Sequence, residues 1–238
     1  AGNQLPWDYD PDVGEEIIVP SCWNMCQPEY FYYEGSAWYA REFTYIPESS
    51  DERVFLRIGA ANYDTMVFLN QEYLGNHYGG STPFFVELTE NLQDNNLIQM
   101  CVNNFRTTDR VPMRNTDWFN YGGIYRDIEL IRVQQDFIKD FQMYLVPNNT
   151  FNEIVLSVTV SDETAQDEVR VLIPELGIEQ ALTLTNGHVE ATLHVAPELW
   201  SPDNPKLYEV EVRFREDRVC DRVGFRKISI KGTKIFLN

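Results

Sequence analysis

The chain is 238 residues long, 43% apolar and 13% aromatic, and carries 19 Lys and Arg against 37 Asp and Glu, a net charge of −18. That apolar and aromatic content excludes a disordered chain, and the negative charge argues against nucleic acid and anionic membrane as partners, because either asks for a basic face. No run approaches the ~20 apolar residues of a membrane span, and no charged-then-apolar leader follows Ala1, a start that reads as processed or trimmed.

Taken in chain order, Leu5-Pro6-Trp7-Asp8 comes first, ahead of an acidic stretch. Cys22 and Cys26 follow in a C-x3-C spacing with no second Cys or His pair nearby, which does not make a structural zinc site. The dominant period beyond them is two. Tyr39, Arg41, Phe43 and Tyr45 alternate with Ala40, Glu42 and Thr44. Val54, Leu56 and Ile58 alternate with Phe55 and Arg57, and Ile98, Met100 and Val102 with Gln99 and Cys101. Alternation of this kind places one set of side chains on each face of a strand. Cys101 reads as a small buried residue. Turn residues at Pro47 to Ser50, Asn70-Gln71, Gly79-Gly80 and Asn95-Asn96 punctuate the runs, as in a sandwich or barrel. No helix of three turns is predicted.

The pattern changes near Val133. Beyond Phe137 the runs are plainer and rich in β-branched residues: Ile154 to Val160, Val169 to Ile173, Val189 to Val195 and Tyr208 to Phe214. About seven strands in roughly 95 residues match an immunoglobulin-like sandwich, although the Cys…Trp…Cys spacing of an antibody domain is missing. A boundary is expected at about residues 134–136. Gly224 to Asn238 reads as a strand, a turn and the start of another strand. An apolar strand at that position needs a partner, which predicts a continuation.

Candidate chemistry is sparse. His77, His188 and His194 are the three histidines, and no G-x-S-x-G, H-E-x-x-H or phosphate-cradling loop accompanies them. His188 and His194 fall on one face of a predicted strand, at its rim. Asn152-Glu153 superficially resembles the Asn-Glu step that carries the acid in some glycosidases, but its place before a strand makes it a solvated turn. The segment Asn115 to Ile128 is the most unusual, with aromatics, amides, a carboxylate and a Gly pair ahead of a strand. Asp117 and Asn120 supply the acceptors and donors that sugar hydroxyls need, and a ring can lie on the apolar face of a pyranose. An aromatic corner that only anchors a loop is the alternative.

Several motifs together resemble the front half of the family 2 glycoside hydrolases, the group of β-galactosidases, β-glucuronidases and β-mannosidases. Val19-Pro20-Ser21-Cys22-Trp23-Asn24 is similar to the family's opening, and Trp38-Tyr39-Ala40-Arg41 to its Trp-Tyr-x-Arg strand. Arg53 to Gly59 and Val67 to Asn70 resemble its central strands. His77 to Phe84 resembles its His-x-Gly-Gly-Tyr-Thr-Pro-Phe run, and Gly122 to Ile128 its Gly-Ile-x-Arg-x-Val segment. Leu199 to Tyr208 is similar to Leu-Trp-Ser-Pro-x-x-Pro-x-Leu-Tyr, and Gly224-Phe225-Arg226 to the Gly-Phe-Arg that closes the second domain. The motifs run in the family's order over essentially the whole chain.

The resemblance implies an all-β chain: a jelly-roll, galactose-binding-like sandwich over 1–134, then an immunoglobulin-like sandwich over 135–229. It makes 230–238 a linker and the first strand of a TIM barrel outside this sequence. That barrel holds both catalytic glutamates, so no catalytic residue is assigned here, and no metal or cofactor is implied. The whole enzyme would be a retaining exo-β-glycosidase acting on a β-glycoside or oligosaccharide, with a homo-oligomer as a further expectation. In the family's β-galactosidases and β-glucuronidases, the aspartate nine residues before the Arg of Gly-Ile-x-Arg bonds sugar hydroxyls. Here 126 − 9 gives Asp117. Asn120 and Tyr121, to which the family assigns no role, join it as substrate-binding candidates because they sit beside it, while Arg126 is expected to pair with a backbone carbonyl or a carboxylate.

Three departures stand out. The family's upstream Leu-x-Gly-x-Trp-x-Phe strand is represented only by Leu5-Pro6-Trp7-Asp8. Asn70-Gln71 replaces an Asn-Gly hairpin turn, which predicts altered turn geometry. The Asp117 to Gly123 run is more similar to β-glucuronidases than to β-galactosidases. A free-standing carbohydrate-binding module and a structural or assembly role are the competing readings. Asn148-Asn149-Thr150 is a glycosylation sequon.

Overall fold

The computed structural model describes residues 13–146, 148 and 150–238. Leu5 to Asp8 and the middle residue of the sequon therefore lie outside the described residues. The chain divides into two compact units between Arg132 and Val133. Among the described residues, helix is confined to 3-10 turns of three residues.

The first unit contains β1 (Ser36–Thr44), β2 (Glu52–Ile58), β3 (Ala61–Asn62), β4 (Asp64–Leu69), β5 (Glu72–Tyr78), β6 (Phe84–Glu87), β7 (Asn95–Asn103), β8 (Gly123–Ile124) and β9 (Ile128–Gln134). They form sheets of order β1-β7-β4-β5, β6-β2-β9 and β3-β8. Leu56 and Ile58 from β2 pack with Val67 and Leu69 from β4 and Met100 and Val102 from β7 in one core. Alternation along each strand puts these residues on the inner face. β7 is buried on both faces: Cys101 is buried, as expected of it, and Gln99 is buried too. The register explains it. Cys101 lies opposite Trp38, and Gln99 opposite Phe68. The Trp38 and Phe68 rings, 5.7 Å apart, cover the outer face of this central strand. Burial pushes the Cys101 thiol pKa up.

The turn between β4 and β5 corrects the expectation of altered geometry. Asn70 and Gln71 have φ of 51° and 74°, both left-handed, as a type I′ hairpin requires. Asn70 secures the turn through its side chain: Nδ2 donates to the Asn91 carbonyl at 2.9 Å, and Oδ1 accepts from the Leu97 amide at 2.9 Å.

The second unit contains β10 (Ile138–Leu145), β11 (Glu153–Val160), β12 (Glu168–Ile173), β13 (Ile178–Thr183), β14 (His188–His194), β15 (Tyr208–Phe214) and β16 (Asp217–Val223). A three-stranded sheet, β10-β11-β14, faces a four-stranded one, β13-β12-β15-β16. Ile154, Leu156, Val158 and Val160 meet Val169, Val171, Ile173, Val210 and Val212 in a single core. The chain is all-β: a jelly-roll sandwich followed by an immunoglobulin-like one. The last strands, β17 (Ile228–Lys231) and β18 (Lys234–Leu237), form an antiparallel hairpin. The partner of the final strand is thus the segment just before it, and a division at 229/230 falls inside β17.

Candidate functional site

β7 ends at Asn103 and no strand follows until Gly123. A connection this long has no ladder to satisfy its backbone, so its polar groups need other partners. Four buried asparagines provide them. Asn104 accepts the Gly35 N–H at Oδ1 (2.9 Å), and its Nδ2 donates to the Asn120 carbonyl at 3.3 Å. Asn120 reciprocates, its Nδ2 donating to the Asn104 carbonyl at 2.6 Å. Asn62, at the end of β3, donates to Asn120 Oδ1 at 3.2 Å and to the Tyr121 carbonyl.

Asn24 is the fourth. It sits in the 3-10 turn Trp23–Met25. Its Oδ1 accepts the Gly122 N–H at 2.8 Å. Its Nδ2 faces the carbonyls of Tyr30 (2.9 Å), Tyr33 (3.0 Å) and Phe31 (3.2 Å), so two hydrogens serve three acceptors. Gly122 has to be glycine, since a Cβ there would lie 2.1 Å from Trp23 Cζ2 and 2.5 Å from Asn104 Nδ2. Trp23 is itself buried, with Tyr33 and Tyr39 rings at 6.2 and 6.5 Å.

On this frame Asp117 is exposed, Trp118 is 61% exposed and Tyr121 50%. Phe119 packs on Phe31 at 5.0 Å and Tyr121 at 4.9 Å. Asn120 points the other way, and its amide is engaged within the unit. The three residues singled out from sequence therefore separate. Asp117 and Tyr121 face outward, and Asn120 holds the loop from beneath. Arg126 donates from Nη1 to the Ser81 carbonyl at 2.9 Å, the backbone pairing expected of it.

The other candidates lie apart. His188 and His194 are exposed on β14, 3.1 Å from Thr159 Oγ1 and 3.2 Å from Glu153 Oε1. Glu153 opens β11 and accepts from Asn148 Nδ2 at 2.9 Å. His77 stacks on Phe84 at 4.3 Å. Cys22 and Cys26 are free thiols flanking the 3-10 turn, and burial raises the Cys22 pKa. Among the described residues, no three His, Cys, Asp or Glu side chains converge as a metal-ion cluster, and no helix is long and apolar enough to cross a membrane. Sequence reading missed Asn62, Asn104 and the role of Asn24, because nothing local distinguishes a buried asparagine from one in a turn. It also passed over the run Tyr30-Phe31-Tyr32-Tyr33, whose four successive rings were a usable signal.

Comparisons with known proteins agree with this architecture. The model described as glycosyl hydrolases family 2, sugar binding domain, matches residues 4–134, and that described as glycosyl hydrolases family 2 matches 137–226. A β-glucuronidase of Paenibacillus borealis is 28% identical over 270 residues, an alignment covering 100% of this chain and 44% of the relative. A β-galactosidase of Thermoanaerobacter pseudethanolicus is 25% identical over 240 residues, covering 92% of this chain and 32% of the relative. The solved β-glucuronidase of Faecalibacterium prausnitzii shares the fold, with a TM-score of 0.81 at 23% identity over 100% of this chain and 45% of the other. The chain thus spans less than half the length of these relatives. It belongs to the family 2 glycosyl hydrolases, and its two sandwiches are that family's sugar-binding and immunoglobulin-like domains.

Proposed function

We propose that the chain is the non-catalytic part of a retaining exo-β-glycosidase of β-glucuronidase or β-galactosidase type. In this reading it braces and partly lines an active site whose two catalytic glutamates lie on a barrel outside these residues. The observation that carries it is the exposed Asp117 on a loop clamped by buried Asn24, Asn62, Asn104 and Asn120. An ionised carboxylate accepts hydrogen bonds from two adjacent hydroxyls, and such charge-assisted bonds are the stronger kind. A loop ordered before the sugar arrives spends none of the binding energy on ordering itself. Asp117 is the substrate contact, Tyr121 flanks it with a half-exposed ring, and Asn120 acts as a positioning residue. The likeness of the Asp117 to Gly123 run to β-glucuronidases favours a glucuronide as substrate.

In the full-length enzyme, Asp117→Ala should lower kcat/KM by ~10²-fold, about 3 kcal/mol of transition-state binding. Kinetics close to wild type would reject the contact. The 238-residue chain alone should not turn over chromogenic β-glucuronides or β-galactosides. Turnover by the chain alone would move the catalytic groups into it and sink the reading.

A further inference from the structure

Phe31, Tyr32, Phe119 and Tyr121 come from two segments far apart in sequence and form one cluster of rings. Phe119 is at its centre, 5.0 Å from Phe31, 4.9 Å from Tyr121 and 6.5 Å from Tyr32. Tyr32 stands edge-on to Phe31 at 4.7 Å. Rings that gather in a core shield one another from water, but here Tyr32 remains 85% exposed and Tyr121 half exposed. The backbone beneath them is nevertheless fixed. The buried Asn24 amide grips the carbonyls of Tyr30, Phe31 and Tyr33 on one side and the Gly122 N–H on the other. One side chain therefore sets the two ring-bearing segments against each other. The rings also begin close to the carboxylate. Phe119 is two residues from Asp117, at most about 7 Å of chain.

We propose that these four rings form the aglycone subsite, receiving a group with a flat apolar face joined to the sugar that Asp117 holds. The inference rests on the function proposed above. The chemistry divides along the loop. Asp117 suits the hydroxyl-rich glycone. The uncharged rings suit a leaving group, whether an aryl ring or the C–H face of a second pyranose, whose edges meet the electron-rich ring faces. The preformed cluster takes such a group without first ordering its own side chains.

The test compares p-nitrophenyl, methyl and disaccharide β-glycosides of the same glycone in the full-length enzyme carrying Tyr32→Ala or Tyr32→Phe. Tyr32→Ala should lower kcat/KM for the aryl substrate relative to the methyl one by about five- to tenfold, chiefly through KM, and Tyr32→Phe should restore it. A parallel fall with the disaccharide assigns the subsite to a pyranose face as well, and a fall with the aryl substrate alone assigns it to aryl groups. Selectivity like wild type on both substrates overturns the proposal. So does a large loss of thermal stability in Tyr32→Ala, which would mean that another part of the protein covers the rings. Asp117→Ala separates the two layers of argument. If it depresses all three substrates while Tyr32→Ala leaves selectivity intact, the subsite alone fails. If it depresses none, the underlying reading fails.

Discussion

Asn24 shows how much one amide can organise. An Asp there would keep the shape but lose both hydrogens, setting a carboxylate against three carbonyl oxygens with the Gly122 N–H and the weak Cys22 thiol donor to balance it. Asn24→Asp should cost about 3 kcal/mol and lower the melting temperature by on the order of 10 °C, read by near-ultraviolet circular dichroism. A melting point equal to wild type would mean that the clasp contributes nothing. At this scale the family resemblance singled out Asp117, nine residues before Arg126, whereas the burial of Asn120 is visible only in the structure. Phe119 and Tyr121 meet each other at 4.9 Å, while the Asn120 amide between them turns to the Asn104 carbonyl and is buried.

The β4–β5 hairpin shows an element overriding one of its residues. Gln71 occupies a left-handed conformation at φ 74° that glycine adopts without a Cβ clash. The turn persists because Asn70 binds the neighbouring segments and because the β4–β7 ladder, through Leu69 opposite Ile98, fixes where the strand must end. Gln71→Gly should therefore stabilise the fold by about 1 kcal/mol, raising the melting temperature by roughly 3 °C. A decrease would show that the Gln side chain contributes more than its strain costs. The strands themselves were legible because their period of two survives even where, as in β7, both faces are covered. What periodicity could not show was that covering, which comes from rings on two flanking strands.

For the whole molecule, the excess of 37 acidic over 19 basic residues makes alkaline pH the vulnerable side. Tyr45 adds to this. Burial, with the bond from its hydroxyl to Glu52 Oε1 at 2.6 Å, pushes its pKa up to about 12. The folded state thus favours the neutral phenol. Its contribution is complete below the ordinary tyrosine value near 10 and is lost as pH climbs from there toward 12. Burial raises Tyr39 in the same direction. Urea unfolding should show a stability that falls over this interval, and falls less steeply in Tyr45→Phe. An identical slope in the variant would remove Tyr45 as a cause. By itself the sequence determined the strands and the two sandwiches, which are written in a period of two, and the family, which is carried by short motifs in a fixed order along the chain. Only the tertiary structure decided which asparagines are buried and which rings meet. Those depend on register. Ser36 pairs with Asn103 across β1 and β7, and that pairing carries the 30–35 turn to the root of the 104–122 loop, two segments that no local pattern connects.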